Sequence, residues 1–234
     1  MSATARRSFF HRIFADNADP SSVASRLRRR RFQTFRRLVG QLSPPVTVLD
    51  VGGTVRFWRT VPDEARRDLE VTLLNHAPAS EPLPAGFRSL LGDARDLSRF
   101  ADNAFDAVFS NSVIEHVGGP SDQLQMAHEV RRVGRLYYVQ TPNRGFPIEP
   151  HFQFPIFQYL PESVQVALLQ RFPLGWYDRI SDAAEARTIA RSIRLLSKRE
   201  LQALFPDGAV WTEWFMGLPK SFVVTRQLQT EHRR

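Results

Sequence analysis

Six histidines stand in the 234-residue sequence, and imidazole is the side chain that takes or gives a proton near neutral pH. Two of them lie in segments with further chemistry. His116 closes Ile114-Glu115-His116, just past an apolar run. His151 closes Pro147-Ile148-Glu149-Pro150-His151, with a carboxylate two residues before the imidazole. If that segment is extended, Glu149 and His151 share a face, and the carboxylate both orients the ring and raises its basicity. His116 reads equally as a base or as a residue that ties its loop down. His11, His76 and His128 have no such context. Glu115, His116, Glu149 and His151 are not at a compact ligand spacing, so a metal site is not expected from the sequence, although folding could bring them together. The absence of cysteine excludes thiolate zinc sites, iron–sulfur clusters, disulfides and a cysteine nucleophile.

A second kind of chemistry belongs to Asp50-Val51-Gly52-Gly53-Thr54. The glycines let a ligand approach the backbone, and loop amides can donate to it. The dinucleotide pattern G-x-G-x-x-G would need glycine at 54 and 57, where Thr54 and Phe57 stand, and no P-loop lysine follows. An Asp two residues before the first glycine suits a nucleoside bearing a zwitterionic amino acid. A tight strand-to-helix turn that binds nothing would carry the same residues.

The elements that must position these groups alternate. An apolar β-branched run at 46–51 is a buried strand and feeds the glycine loop. Further strands are expected at 69–75, 87–91, 105–110 and 135–140, with helices at 63–68 and 121–133; the second has Leu124, Ala127, Val130 and Val133 inside. Strands alternating with helices imply a doubly wound, mostly parallel sheet. Two closing strands, 210–216 and 221–226, share a turn too short for a parallel crossover and are therefore antiparallel. The count is that of a seven-stranded sheet with one reversed strand. Such sheets bind ligands outside the carboxyl ends of their strands. Trp211, Trp214 and Phe215 are expected to pack the closing strands.

The alternation breaks at 142–196, a proline-rich insertion with helices expected at about 162–171 and 182–190. Its Phe146, Phe152, Phe154, Phe157 and Tyr159 line an apolar pocket or form a small core of the insertion. Ser197-Lys198-Arg199-Glu200 is a capping box for a helix at 197–204. Asp19-Pro20-Ser21 starts a helix running to about Leu42, with Val23, Leu27, Phe32, Phe35, Leu38, Val39 and Leu42 on one stripe.

Charge is segregated along the chain. Residues 1–40 hold ten Arg against two Asp, while 41–234 hold 22 basic and 22 acidic residues, so the net +8 lies wholly in the first segment. We therefore divide the chain into a basic N-terminal helical extension (1–42), a main domain with its insertion (43–226) and a polar tail (227–234). The basic helix reads as a lid over the cleft, as a contact with anionic lipid, or as a nucleic-acid contact. The last ranks lowest because the rest of the chain is neutral. No apolar run of 18 residues exists, so no membrane-spanning helix is expected. The Arg-rich start lacks the apolar region of a secretory signal. A cysteine-free chain fits a reducing cytoplasm, with a peripheral place at the inner membrane face if the basic helix meets lipid.

In order, VLDVGGT, GDARDL, FDAVFSNSVIEHV and a fifth strand ending in TPN resemble the class I S-adenosylmethionine-dependent methyltransferases. The nearest pattern is that of bacterial methyltransferase-domain proteins with a D-V-G-G-T loop. The resemblance covers about residues 20–226 and implies a Rossmann-like fold with S-adenosylmethionine as cofactor. It implies that Asp50, Gly52 and Gly53 line the methionine end and that Asp93 and Ala94 meet the adenine. Ser110, Asn111 and Ser112 would lie under the transferring methyl. Asn75 stands where the family has an acid for the ribose hydroxyls, and a neutral amide binds a diol more weakly. Thr54 and Arg56 stand where the family has glycines. The implied reaction is methyl transfer to a small-molecule, glycan or lipid-linked acceptor, at a hydroxyl, with His151 or His116 as base and Glu149 as orienter. The alternative is a non-catalytic binding or scaffold protein on the same fold, working through its basic helix. Oligomeric state is not legible.

Overall fold

The computed structural model describes residues 23–227. The helix start at Asp19–Ser21 lies outside them. Among the described residues the chain forms two compact units, 23–37 with Pro147–Ala190 and Leu38–Phe146 with 191–227.

Helix α1 (Val23–Val39) buries Leu27, Phe32, Phe35, Leu38 and Val39, the expected stripe at spacings of three and four. Arg31 is buried as well, so the arginines do not form a wholly solvated face. The helix ends at Val39, and Leu42 is held only through a turn, its N–H on Val39 O at 3.0 Å.

The larger unit is built on one seven-stranded sheet in the order β3-β2-β1-β4-β5-β9-β8. β1 (Val46–Val51), β2 (Leu69–Asn75), β3 (Phe87–Leu91), β4 (Phe105–Asn111) and β5 (Gly134–Pro142) run parallel. β9 (Leu218–Arg226) is antiparallel to β5 and to β8 (Ala209–Phe215). It is the one reversed strand. The four strands β2, β1, β4 and β5 are buried almost end to end, as strands of a parallel sheet covered on both faces must be. The order turns back between β1 and β4, which opens a crevice at their carboxyl ends.

Two short helices follow β1, α2 (Val55–Arg59) and α3 (Asp63–Arg66); only the second was expected. α4 (Pro120–Val133) starts at Gly119, whose N–H donates to Asp122 at 2.8 Å. Its inward face is Gln123, Met126, Ala127, Val130 and Val133. Leu124, expected inside, is 57% exposed. Gln123 takes the inward place because its amide donates to Ile114 O and Arg194 O, both at 2.9 Å. α7 (Lys198–Leu204) is capped by Ser197 with Glu200, as its sequence demands. Trp214, expected to pack the closing strands, is 61% exposed, because a bulge between Glu213 and Trp214 shifts the register there.

In the smaller unit, β6 (Ile148–Glu149) pairs with β7 (Phe154–Pro155). α5 (Glu162–Arg171) and α6 (Ala183–Arg191) follow. Phe152 stacks on Phe157 with centroids 4.0 Å apart and on Tyr177 at 5.2 Å. These aromatics form a core of the insertion, and Tyr159 stands outside it, 59% exposed.

Candidate functional site

The carboxyl end of β1 passes into the glycine loop. Gly52 has φ +72°, and a Cβ there would lie 2.5 Å from Val113 Cγ2. A Cβ on Gly53 would lie 1.8 Å from Asp50 Oδ2. Both positions therefore require glycine, the first for its conformation and contact, the second for space alone. Gly52 N–H donates to Leu74 O at 2.8 Å, and Asn75 Nδ2 donates to Gly53 O at 2.7 Å. β2 thus ties the loop at two points. Asn75 spends its amide nitrogen on the loop, which an acid at this position could not do, and keeps Oδ1 as an acceptor. Thr54, a departure from the family glycine, caps α2 by accepting from Phe57 N–H at 3.2 Å.

Asp50 is 1% exposed. Its carboxylate accepts from Trp58 Nε1 at 2.6 Å. Burial pushes the Asp50 carboxyl up from its ordinary 3.8 to about 8, against the opposing pull of the indole N–H. Trp58 itself is wholly buried, edge-on to Phe57, Phe87 and Phe109.

At the end of β3, Gly92 leads into Asp93 and Ala94. Arg95 holds both oxygens of Asp93 at 2.6–3.0 Å and reaches Asp122 Oδ1 at 2.8 Å. These bonds keep the Asp93 carboxyl ionised, below its ordinary range. Arg95 so links the loop after β3 to the start of α4. Ala94 is buried in the main core.

At the end of β4, Ser110 is fully buried, and its Oγ has no hydrogen-bond partner among the described residues. Asn111 is half-buried. Ser112 has φ +58° and donates to Gln140 Oε1 at 2.9 Å. A 3-10 turn, Ile114–His116, follows. Glu115 is wholly buried and accepts from Thr141 Oγ1 at 3.0 Å, while its carbonyl accepts from Arg194 N–H at 2.8 Å. His116 is exposed. The ends of β4 and β5 are thus stitched by side chains that no spacing rule announces: Gln123, Gln140, Thr141 and Arg194.

In the smaller unit Glu149 is 1% exposed. Its Oε2 accepts from the N–H groups of His151 and Phe152, each at 2.7 Å, and its Oε1 meets His151 Nδ1 at 2.7 Å. The segment is not extended as expected. Residues 150–152 turn, and the turn brings carboxylate and imidazole together. Trp176 N–H donates to His151 O at 3.0 Å, and a Cβ on Gly175 would lie 2.0 Å from that oxygen, so a second chain segment fixes the turn.

The larger unit therefore brings Asp50, Gly52, Gly53, Asn75, Asp93, Ala94, Ser110 and Asn111 to one sheet edge. Within the smaller unit Glu149 and His151 form a dyad. The donor set at the edge suits an amino-acid-bearing nucleoside. It offers bare glycine backbone, acceptors on Asn75 and Asp93, and a buried hydroxyl at Ser110 that needs a partner.

A family model described as a methyltransferase domain matches residues 59–136. Two uncharacterised proteins of Mycobacterium tuberculosis are each 39% identical to this chain over 57 residues. That stretch is 24% of this chain and 20% of each relative, so the match spans a fifth of the curated relatives' length. Among solved structures, the CurJ carbon methyltransferase superposes with a TM-score of 0.54 at 11% identity, over 88% of this chain and 55% of its own. The 1,6-didemethyltoxoflavin-N1-methyltransferase of Burkholderia thailandensis, solved with 1,6-didemethyltoxoflavin and S-adenosylhomocysteine, gives 0.52 at 13% identity over 85% and 76%. These likenesses are of fold.

Proposed function

We propose that this chain is a class I S-adenosylmethionine-dependent methyltransferase, with S-adenosylmethionine as its cofactor, that methylates a hydroxyl of a small-molecule, glycan or lipid-linked acceptor; the methyltransferase-domain match at 59–136 and the likeness of fold support this reading. When bound, the cofactor supplies an electrophilic methyl on a good leaving group. The chain's residues must then hold, orient and deprotonate. The Gly52–Gly53 backbone takes the amino-acid end, Asn75 Oδ1 accepts from the ribose, and ionised Asp93 accepts from the adenine amine. Ser110 and Asn111 face the end where the methyl leaves. His151 acts as the base that takes the proton of the acceptor hydroxyl. Glu149, in contact with its Nδ1, orients the ring and stabilises the imidazolium that forms.

The observation that carries the base assignment is the 2.7 Å Glu149–His151 contact with both carboxylate oxygens engaged. Both ends of the insertion start from the carboxyl end of β5. Pro142 ends that strand, and Arg144 N–H donates to Leu196 O at 3.0 Å. The insertion thus leaves the sheet at the carboxyl end of the strand, and we assign it the acceptor.

S-adenosylhomocysteine should raise the melting temperature of the chain by mass action, and NAD should not. His151→Ala should lower the turnover rate at least about tenfold, or roughly 1.4 kcal/mol of transition-state stabilisation. Its S-adenosylhomocysteine affinity should stay within about twofold. No ligand-dependent shift would abandon the enzyme for a scaffold on the same fold. Loss of turnover in His116→Ala but not His151→Ala would move the base to the turn after β4.

A further inference from the structure

We infer that Trp58 is the positioning residue of the glycine loop: its indole N–H holds the Asp50 carboxylate beneath Gly53 and so sets the affinity for the cofactor. The inference rests on the reading of Asp50–Thr54 as the cofactor loop. Trp58 lies outside that loop, and its indole N–H reaches the loop through Asp50.

Three observations meet at one oxygen. Asp50 Oδ2 accepts from Trp58 Nε1 at 2.6 Å. The same atom lies 1.8 Å from where a Gly53 Cβ would stand, so the carboxylate fills the space under the second glycine. Both side chains are buried, at 1% and 0% exposure, so water does not compete for the bond. Indole is a donor only, and a carboxyl group accepts in either protonation state, so the direction of the bond is fixed.

The donor is also fixed in place. The Trp58 ring is edge-on to Phe57, Phe87 and Phe109 at 5.3–6.2 Å. Its backbone N–H donates to Thr54 O at 3.4 Å and its carbonyl accepts from Arg66 Nη1 at 3.1 Å. β2 holds the loop through Gly52 N–H and Gly53 O. Trp58 supplies the third tie, from α2, five residues beyond Gly53. Without the N–H, a buried carboxyl loses its hydrogen bond to the indole. It must then reorient, and Gly53 lies directly in its path. Loop geometry and cofactor affinity change together.

The test is calorimetric titration of the full chain with S-adenosylhomocysteine, alongside the apo melting temperature. Trp58→Phe keeps an aromatic body and removes the donor. It should weaken binding at least about tenfold. Asp50→Ala should weaken it too, and the double variant should be no worse than Asp50→Ala alone, because both changes remove one interaction. Val133→Ala, a core change at the far end of α4, should lower the melting temperature and leave affinity within twofold. A Trp58→Phe affinity within twofold of wild type, or losses that add in the double variant, would overturn the inference. Should Trp58→Phe not fold, benzothienylalanine at position 58 keeps the two-ring shape and removes only the N–H, with the same expectation. Failure of the wild-type chain to bind would sink the cofactor reading and this inference with it. Wild-type binding that survives loss of the N–H overturns the inference alone.

Discussion

Asp50 and Glu149 are each 1% exposed, and the chain holds them in contrasting ways. Glu149 takes its partners from its own turn, two backbone N–H groups and an imidazole within three residues. Asp50 takes its donor from a tryptophan eight residues on, carried by another element and lodged in an aromatic cluster. The first carboxylate builds a local turn and aims a histidine. The second fills a space under a loop. Glu149 thus acts as scaffold for its own turn and Asp50 as spacer under the loop. The two can be separated by substitution.

The largest effect is expected at Gly53. Gly53→Ala drives a methyl group onto the buried Asp50 carboxylate, 1.8 Å away. Stability should fall by about 3 kcal/mol, as for an overpacked core, and S-adenosylhomocysteine affinity at least about a hundredfold, or roughly 2.7 kcal/mol. Chemical denaturation and calorimetry measure the two. Retained affinity would mean that the loop does not touch the cofactor.

Glu149→Ala comes next. It strands two N–H groups, at about 1–3 kcal/mol each where they are fully buried. We expect a loss of about 2–4 kcal/mol in denaturant unfolding with cofactor affinity unchanged. An equal fall in affinity would break the separation drawn between the two carboxylates.

The third prediction is a pH dependence. Native Asp50 keeps its proton to about pH 8, whereas the unfolded chain releases it near its ordinary 3.8. Between those values the native state binds more protons than the unfolded one, so stability falls as pH rises. The stability it contributes is fully present below about pH 4 and lost as pH rises to about pH 8. Asp50→Asn should flatten the apo melting temperature across that window. A wild-type profile already flat there, after the other carboxylates are accounted for, would refute the buried neutral acid.

The smallest effect belongs to Thr54. Thr54→Ala removes the cap of α2 and should cost about 1 kcal/mol, seen as a modest shift of the denaturation midpoint. A larger loss of cofactor affinity than of stability would give Thr54 a role in the loop beyond capping.

Periodicity in the sequence determined the sheet. β2 and β3 have the bounds that their apolar runs imply, and Ser197 with Glu200 caps α7 as their spacing demands. The antiparallel closing pair follows from a turn too short for a crossover. The glycine loop was likewise visible, because a tight turn at a strand end leaves its mark in residue type. These features are local, settled by groups within a few positions of one another.

Only the tertiary structure decided where polar groups find partners. The α4 pattern put Leu124 inward, but the unmet carbonyls of Ile114 and Arg194 draw Gln123 there instead. Glu149 and His151 were two residues apart in sequence, and it took a turn rather than an extended strand to bring them together. Asn75 reads in the sequence only as a ribose ligand, and the structure adds that its amide holds Gly53. Trp58 carried no signal, since a tryptophan on a short helix reads as core and its N–H needs a partner that no spacing rule names. Apolar burial is additive along an element and so appears in periodicity. Hydrogen bonds between elements are pairwise and directional, and each needs both partners in place.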